Sequence, residues 1–355
     1  MRRLLATLLI FVSTLSPAAA HAENVDSVSV WGNYYKERST RVVSPVITLH
    51  KALPHDSSIE ATYLVDQITS ASAGATVTDH AFQEYRNEVG VAGHLGLFDD
   101  FTVGLSARYS YEEDYTSVAI GADLAWSLFQ ASTTLGVHIQ RQHDGIKNRA
   151  QPGFKDTLDT TMMGISVTRI MRRDLLVGLT LETQILSGYT ENPYRIEQHP
   201  RRRNRYAAEP FLAYRYEPTR TTVRLDYRLY GDTWSLVAHT FGVDLTQRMA
   251  AWLEFVPSFR YYTQGDVFFV DIADCSRFFP DATAPAARCI TSDPKLKRFS
   301  SRLYGARAVI RLQALEDTLL SVFARSTVEP AYALLDQDNA YGTAHIVQLG
   351  WHWPF

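Results

Sequence analysis

His345-Ile-Val-Gln-Leu-Gly-Trp-His-Trp-Pro-Phe355 closes the chain. Counting back in steps of two gives Phe355, Trp353, Trp351, Leu349 and Val347, an unbroken apolar face. The intervening Pro354, His352, Gly350, Gln348 and Ile346 are on the whole smaller or more polar. Period-two alternation is the signature of a β-strand whose two faces meet different surroundings. One face of this strand wants hydrocarbon, and its terminal aromatics want a boundary between hydrocarbon and water.

The opposite terminus has the form of an export signal. Arg2 and Arg3 precede an apolar run over residues 4–15, and Ala20-His21-Ala22 has the small-x-small form read by signal peptidase. Cleavage is expected after Ala22, so residues 1–22 read as a signal peptide and residues 23–355 as the mature domain. Beyond the signal there is no apolar run of about 18 residues, so no membrane helix is available. Soluble periplasmic, secreted and barrel forms remain.

Composition points towards a barrel. Aromatic residues make up 12% of the chain and hydrophobic residues 46%, yet mean hydropathy is only -0.16. Aromatic girdles combined with one polar face per strand produce that balance. A net charge of -3 gives no electrostatic reason to expect a nucleic-acid partner.

Alternating segments of 10 to 15 residues recur along the chain, giving about 16 strands, each long enough to cross a bilayer at a tilt. The clearest pattern is Phe101, Val103, Leu105, Ala107, Tyr109 and Tyr111 against Thr102, Gly104, Ser106, Arg108, Ser110 and Glu112. The connections sort as well. Segments such as 52–56, 97–100, 130–131, 171–174, 218–219, 247–249 and 315–317 are short. The long ones (70–82, 143–157, 188–203, 265–297 and 332–340) all fall on the opposite side. The expected fold is therefore all-β: a transmembrane antiparallel up-and-down barrel with short periplasmic turns, longer extracellular loops and both termini in the periplasm. Pro45, Pro210 and Pro257 each remove a ladder donor and are expected at bulges or local gaps.

The terminal strand resembles that of bacterial outer-membrane barrels. Longer segments resemble an uncharacterised proteobacterial outer-membrane β-barrel family, defined by a conserved domain of unknown function. They are Tyr63-Leu-Val-Asp66, Ser70-Ala-Ser-Ala-Gly74, Glu84-Tyr-Arg-Asn-Glu88 and Tyr109-Ser-Tyr-Glu-Glu-Asp-Tyr115. Further on come Gly188-Tyr-Thr-Glu-Asn-Pro-Tyr-Arg195, Arg201-Arg-Arg-Asn-Arg-Tyr206, Leu225-Asp-Tyr-Arg-Leu-Tyr-Gly-Asp-Thr-Trp234 and Phe259-Arg-Tyr-Tyr-Thr-Gln264. The resemblance implies a fold and a location in the outer membrane of a Gram-negative bacterium. It brings no activity and no functional residues.

Four groups of residues are candidates for function. Inward-facing charges, among them Arg108, Arg215, Arg224, Asp226, Arg228, Glu254, Arg260, Arg307 and Arg311, either select solutes electrostatically or merely brace the wall. Arginines concentrate on the eleventh to fifteenth strands and carboxylates on the third to sixth, which suggests a transverse field. Arg201, Arg202, Arg203 and Arg205 are expected at the outer rim, as solvated charges or as guanidinium partners for lipopolysaccharide phosphates. Cys275 and Cys289 are the only cysteines; export to an oxidising compartment makes a disulfide the default. Trp351, Trp353 and Phe355 form a candidate assembly signal for the barrel-assembly machinery.

An enzyme is not expected. The adjacent pairs His143-Asp144 and Asp79-His80 could supply a general base, but no G-x-S-x-G or H-E-x-x-H accompanies them. No cofactor or metal site is expected. The expected function is a pore for small polar solutes; the alternative is a barrel whose lumen houses or threads another exported component.

Overall fold

The computed structural model describes residues 25–38, 40–70, 82–98, 100–194, 197–269, 271–272, 289–291 and 293–355. The export signal lies outside them. Strands β1 (Ser27–Lys36), β2 (Thr40–Leu53), β3 (Ser57–Ser70), β4 (Phe82–Phe98), β5 (Phe101–Tyr111) and β6 (Tyr115–Leu128) run antiparallel in chain order. They continue into β7 (Thr133–Lys147), β8 (Lys155–Arg172), β9 (Leu175–Gly188), β10 (Arg202–Tyr216), β11 (Thr221–Asp232), β12 (Val237–Ala250) and β13 (Leu253–Gln264). A two-stranded ribbon, β14 (Asp271–Ile272) with β15 (Cys289–Ile290), interrupts the wall order before β16 (Phe299–Arg311), β17 (Thr327–Gln337) and β18 (Ala344–Pro354).

The sheet closes through β1 and β18, paired from Ser27↔Pro354 to Lys36↔His345. Sixteen strands thus form the barrel, and closure leaves no strand edge unpaired, as hydrocarbon demands. Pro45, Pro210 and Pro257 coincide with missing rungs on one side of their strands while the register continues unchanged across each gap. They open local gaps, not bulges.

The period-two pattern sets the faces. Ile47, Val91, Leu105, Ile120, Ile139, Ile165, Leu225 and Leu349 are exposed on the outside, where bilayer replaces water. At the periplasmic turns, His55 and Asp56 adopt left-handed φ values of 59° and 51°, which lets a tight turn follow the twist of its strands.

One connection departs from the expected sorting. A short turn at 315–317 followed by a strand over 318–331 does not form; residues 312–326 instead make a long periplasmic segment with two 3-10 turns, Gln313–Leu315 and Ser321–Phe323. The strand pattern there was mimicked by Leu319, Leu320 and Val322, which are exposed. Phe323 packs on the outward Trp351 and Trp353 at 5.9 and 5.4 Å, and Trp353 Nε1 donates to the Val322 carbonyl at 2.9 Å. The segment lies against the boundary aromatics of the terminal strand, where apolar residues have the same reason to occur as in a spanning strand.

Candidate functional site

The lumen changes character along its length. In the periplasmic half some inward charges are well exposed: Arg307 is 48% exposed, and Asp123 and His94 are 44% and 40% exposed with 3.7 Å between them. At the outer end the inward side chains are buried on nearly every strand, including Glu37, Val42, Asp66, Glu84, Ser117, Asp144, Thr160, Arg203, Ala238, Gln264 and Ala344. Inward-folded connections cover them.

The β9–β10 connection reaches across to the β5–β6 and β7–β8 hairpins. Asn148 Nδ2 donates to the Pro193 carbonyl at 2.7 Å, Tyr194 Oη donates to Asp114, and the Arg149 amide donates to Tyr194 Oη at 2.9 Å. His199 from the same connection packs at 5.3 Å on both Trp234 and Phe269, which come from the β11–β12 and β13–β16 connections. With Leu236, Val267 and Leu296 these residues form a small hydrophobic core across the outer mouth. Burial is the main cause that pushes the His199 imidazole down and the Glu191 carboxyl up, so both groups are biased towards their neutral forms.

Asp232 is the hub of this cap. Its buried carboxylate accepts from Arg203 Nε at 2.8 Å, Tyr230 Oη at 2.8 Å and the amides of Trp234 and Leu236 at 2.9 and 3.1 Å. Arg203 also lies 4.1 Å above the Trp234 ring. A second network holds Arg86 on Asp66 at 2.6 Å and Arg149 on Glu84 at 3.0 Å. Glu84, Glu112 and Asp114 bring ligand atoms within 4.8 Å of one another, with the Arg149 guanidinium and the Tyr194 hydroxyl reaching in beside them. Cross-strand cations and hydroxyls account for this grouping as a brace between hairpins.

The inward charges are mostly paired. Arg228 bridges Glu182 at 2.7 Å and Glu209 at 2.9 Å; Arg311 binds Glu254 at 2.8 Å, Arg307 binds Glu329 at 3.0 Å, and Arg108 donates to Gln142 at 3.1 Å with Glu88 at 3.6 Å. Arg224 stacks on Phe211 at 4.0 Å. Asp226 and Arg260 are the cross-strand partners of Gly242 on its two neighbouring strands, and a Cβ at Gly242 would sit 2.4 Å from the Asp226 carboxylate, so only glycine lets that side chain lie across the wall. Carboxylates thus accompany the arginines on their own side, which removes much of the transverse field suggested by residue order. Arg215 stands at the periplasmic rim, exposed, on Glu217 at 2.6 Å.

The outer-rim arginines do not form one cluster. Arg202, Arg203 and Arg205 lie within β10, so alternation sends Arg203 and Arg205 inward and Arg202 outward. Arg203 is held by Asp232, Arg205 donates to Gln184 at 2.8 Å, and Arg201 holds Asp156 at 2.7 Å. The same alternation parts His143, which faces out, from Asp144, which is buried, so that pair cannot act as one base. Asp79, His80 and Cys275 lie outside the described residues.

A closed barrel with an apolar exterior and a charged interior defines a protein of the Gram-negative outer membrane. The chain belongs to the family described as "Protein of unknown function (DUF3570)", whose model matches residues 136–313, half of its length. No curated protein matches it in sequence. Among solved structures it is similar to a "Bacterial polysaccharide outer membrane secretin", with 7% identity, a TM-score of 0.51, and 94% of this chain and 99% of that one covered. Pseudomonas aeruginosa OccD3 (OpdP) shares 8% identity at a TM-score of 0.49, covering 95% and 92%. Pseudomonas aeruginosa OccK2 (OpdF) shares 8% at 0.49, covering 93% and 97%. Identities this low bear on the fold alone.

Proposed function

We propose that the barrel is a channel for small polar solutes whose outer mouth is narrowed by a folded cap. The observation that carries this reading is the exposure of Arg307, Asp123 and His94 in the periplasmic half: inward charges there are solvated, as in a water-filled lumen. Paired charges of both signs line the wall above them and suit polar solutes better than apolar ones.

The test is conductance of the purified protein in planar bilayers. Reversing Arg224 and Arg307 to glutamate is expected to move the reversal potential towards cations while the barrel still migrates as a folded species. Both residues lie on the inward face, so the lipid face is untouched. No conductance from either the wild type or a variant with a loosened cap would sink the channel reading. The housing of an exported partner would then be the better account.

We also propose that Cys275 and Cys289 are bridged. Cys289 is paired by its backbone with Ile272, Cys275 comes three residues after Ile272 in the sequence, and an oxidising compartment favours their pairing. Mass spectrometry of non-reduced peptides should show one cross-linked species, and two free thiols would refute it. Because the ribbon stands apart from the wall, a double serine variant is expected to insert normally.

A further inference from the structure

The outside of the barrel carries a feature that a solute channel does not need. Between β7 and β12 the lipid-facing surface is hollowed into a groove of about 980 Å³. Ile139, Ile165, Leu181 and Tyr206 wall it, while Ala208 and Gly231 keep its floor low. Gly231 leaves real room, since a Cβ there would meet nothing within 4 Å.

Basic groups stand on the same outward face towards the outer end. Arg141 is two residues beyond Ile139 on β7, roughly 7 Å along the strand, and Arg202 is four residues before Tyr206 on β10, roughly 13 Å. Further out, Lys147 and Lys155 are direct cross-strand partners and both are exposed. Like charges facing each other across a ladder repel. Neither lysine, nor Arg202, has an ion pair or side-chain hydrogen bond among the described residues. The nearby carboxylates are already engaged: Asp159 by Arg141 and His143, each at 3.1 Å, and Asp156 by Arg201.

We propose that this face binds one lipopolysaccharide molecule of the outer leaflet, with an acyl chain in the groove and phosphates held by Arg202, Lys147 and Lys155. An apolar trough surmounted by unpaired cations fits an amphiphile that carries several phosphates above its chains. The alternation of β10 makes Arg202 the only one of Arg202, Arg203 and Arg205 to face this ligand. The proposal is independent of whether the lumen conducts.

The test uses full-length protein purified from outer membranes, with retained lipopolysaccharide counted by native mass spectrometry. Folding of every variant is checked by heat-modifiable migration. Wild type should retain one molecule. Lys147→Glu with Lys155→Glu, and separately Gly231→Trp, should each lower affinity for added deep-rough lipopolysaccharide by about tenfold or more. Wild-type protein without bound lipopolysaccharide, or variants that are folded and retain it as wild type does, would overturn the proposal. Vesicles of phosphatidylglycerol form the second arm: equal binding there, with the same dependence on Lys147 and Lys155, would also overturn it, since the face would then read any anionic lipid.

Discussion

Replacing Asp232 by alanine is expected to loosen the outer cap and raise single-channel conductance several-fold. The change strands the Arg203 guanidinium, which is 8% exposed, and orphans the amides of Trp234 and Leu236. Removing one partner of a buried ion pair typically costs about 3–5 kcal/mol, enough to disorder a local element while the wall persists. The loosened connections should become sensitive to protease between β9 and β10 and between β11 and β12. Asp232→Asn, which keeps an acceptor for the two amides, should lie between the alanine variant and wild type. Unchanged conductance and unchanged protease resistance in Asp232→Ala would refute the role of this carboxylate as the hub of a gate.

The second large effect concerns assembly. Deleting Phe355 should lower the amount of folded barrel in the outer membrane several-fold. Its amide donates to the Asp26 carbonyl at 2.9 Å, adding a bond just beyond the β1–β18 seam, and its ring lies 5.0 Å from Trp353. Loss of both weakens closure and removes a boundary aromatic. Val322 and Phe323 touch Trp353 from the periplasmic segment, so a Phe323→Ala variant provides a control. It loosens packing on the same aromatic strand without shortening the chain. If deletion of Phe355 leaves the yield at the wild-type level, the terminus is not an assembly signal.

The wall was legible in the sequence because one physical demand, apolar out and polar in, repeats on every strand. His345–Phe355 and Phe101–Glu112 carry it without interruption, and β18 and β5 form where it predicts. The demand fails to discriminate at the membrane boundary. Leu319, Leu320 and Val322 are apolar because of where they sit, not because they span; the fifteenth expected strand, over 318–331, therefore starts too early, and the observed strand is Thr327–Gln337.

The candidate site was less legible for two separate reasons. Adjacent arginines look like one patch in a sequence, but once β10 is extended back to Arg202 its neighbours part to opposite sides of the wall. His199, Trp234 and Phe269 come from three different connections, and nothing in any one of them signals that the three rings meet. The density of polar and turn residues around Asp232 marked a connection. It did not mark a hub. The Lys147–Lys155 pair needed the hairpin register, since only pairing sets the two charges face to face.

The exposure gradient along the inward face gives the molecule a direction. In the proposed channel a solute coming from the periplasm meets exposed inward charges, whereas one coming from outside meets packed rings and buried ion pairs. The two approaches therefore present unequal barriers. A pore of this shape should rectify: current through it should depend on the sign of the applied voltage as well as its size. Small thiol reagents directed at cysteines placed near Arg307 should react quickly from one face of the membrane and slowly from the other.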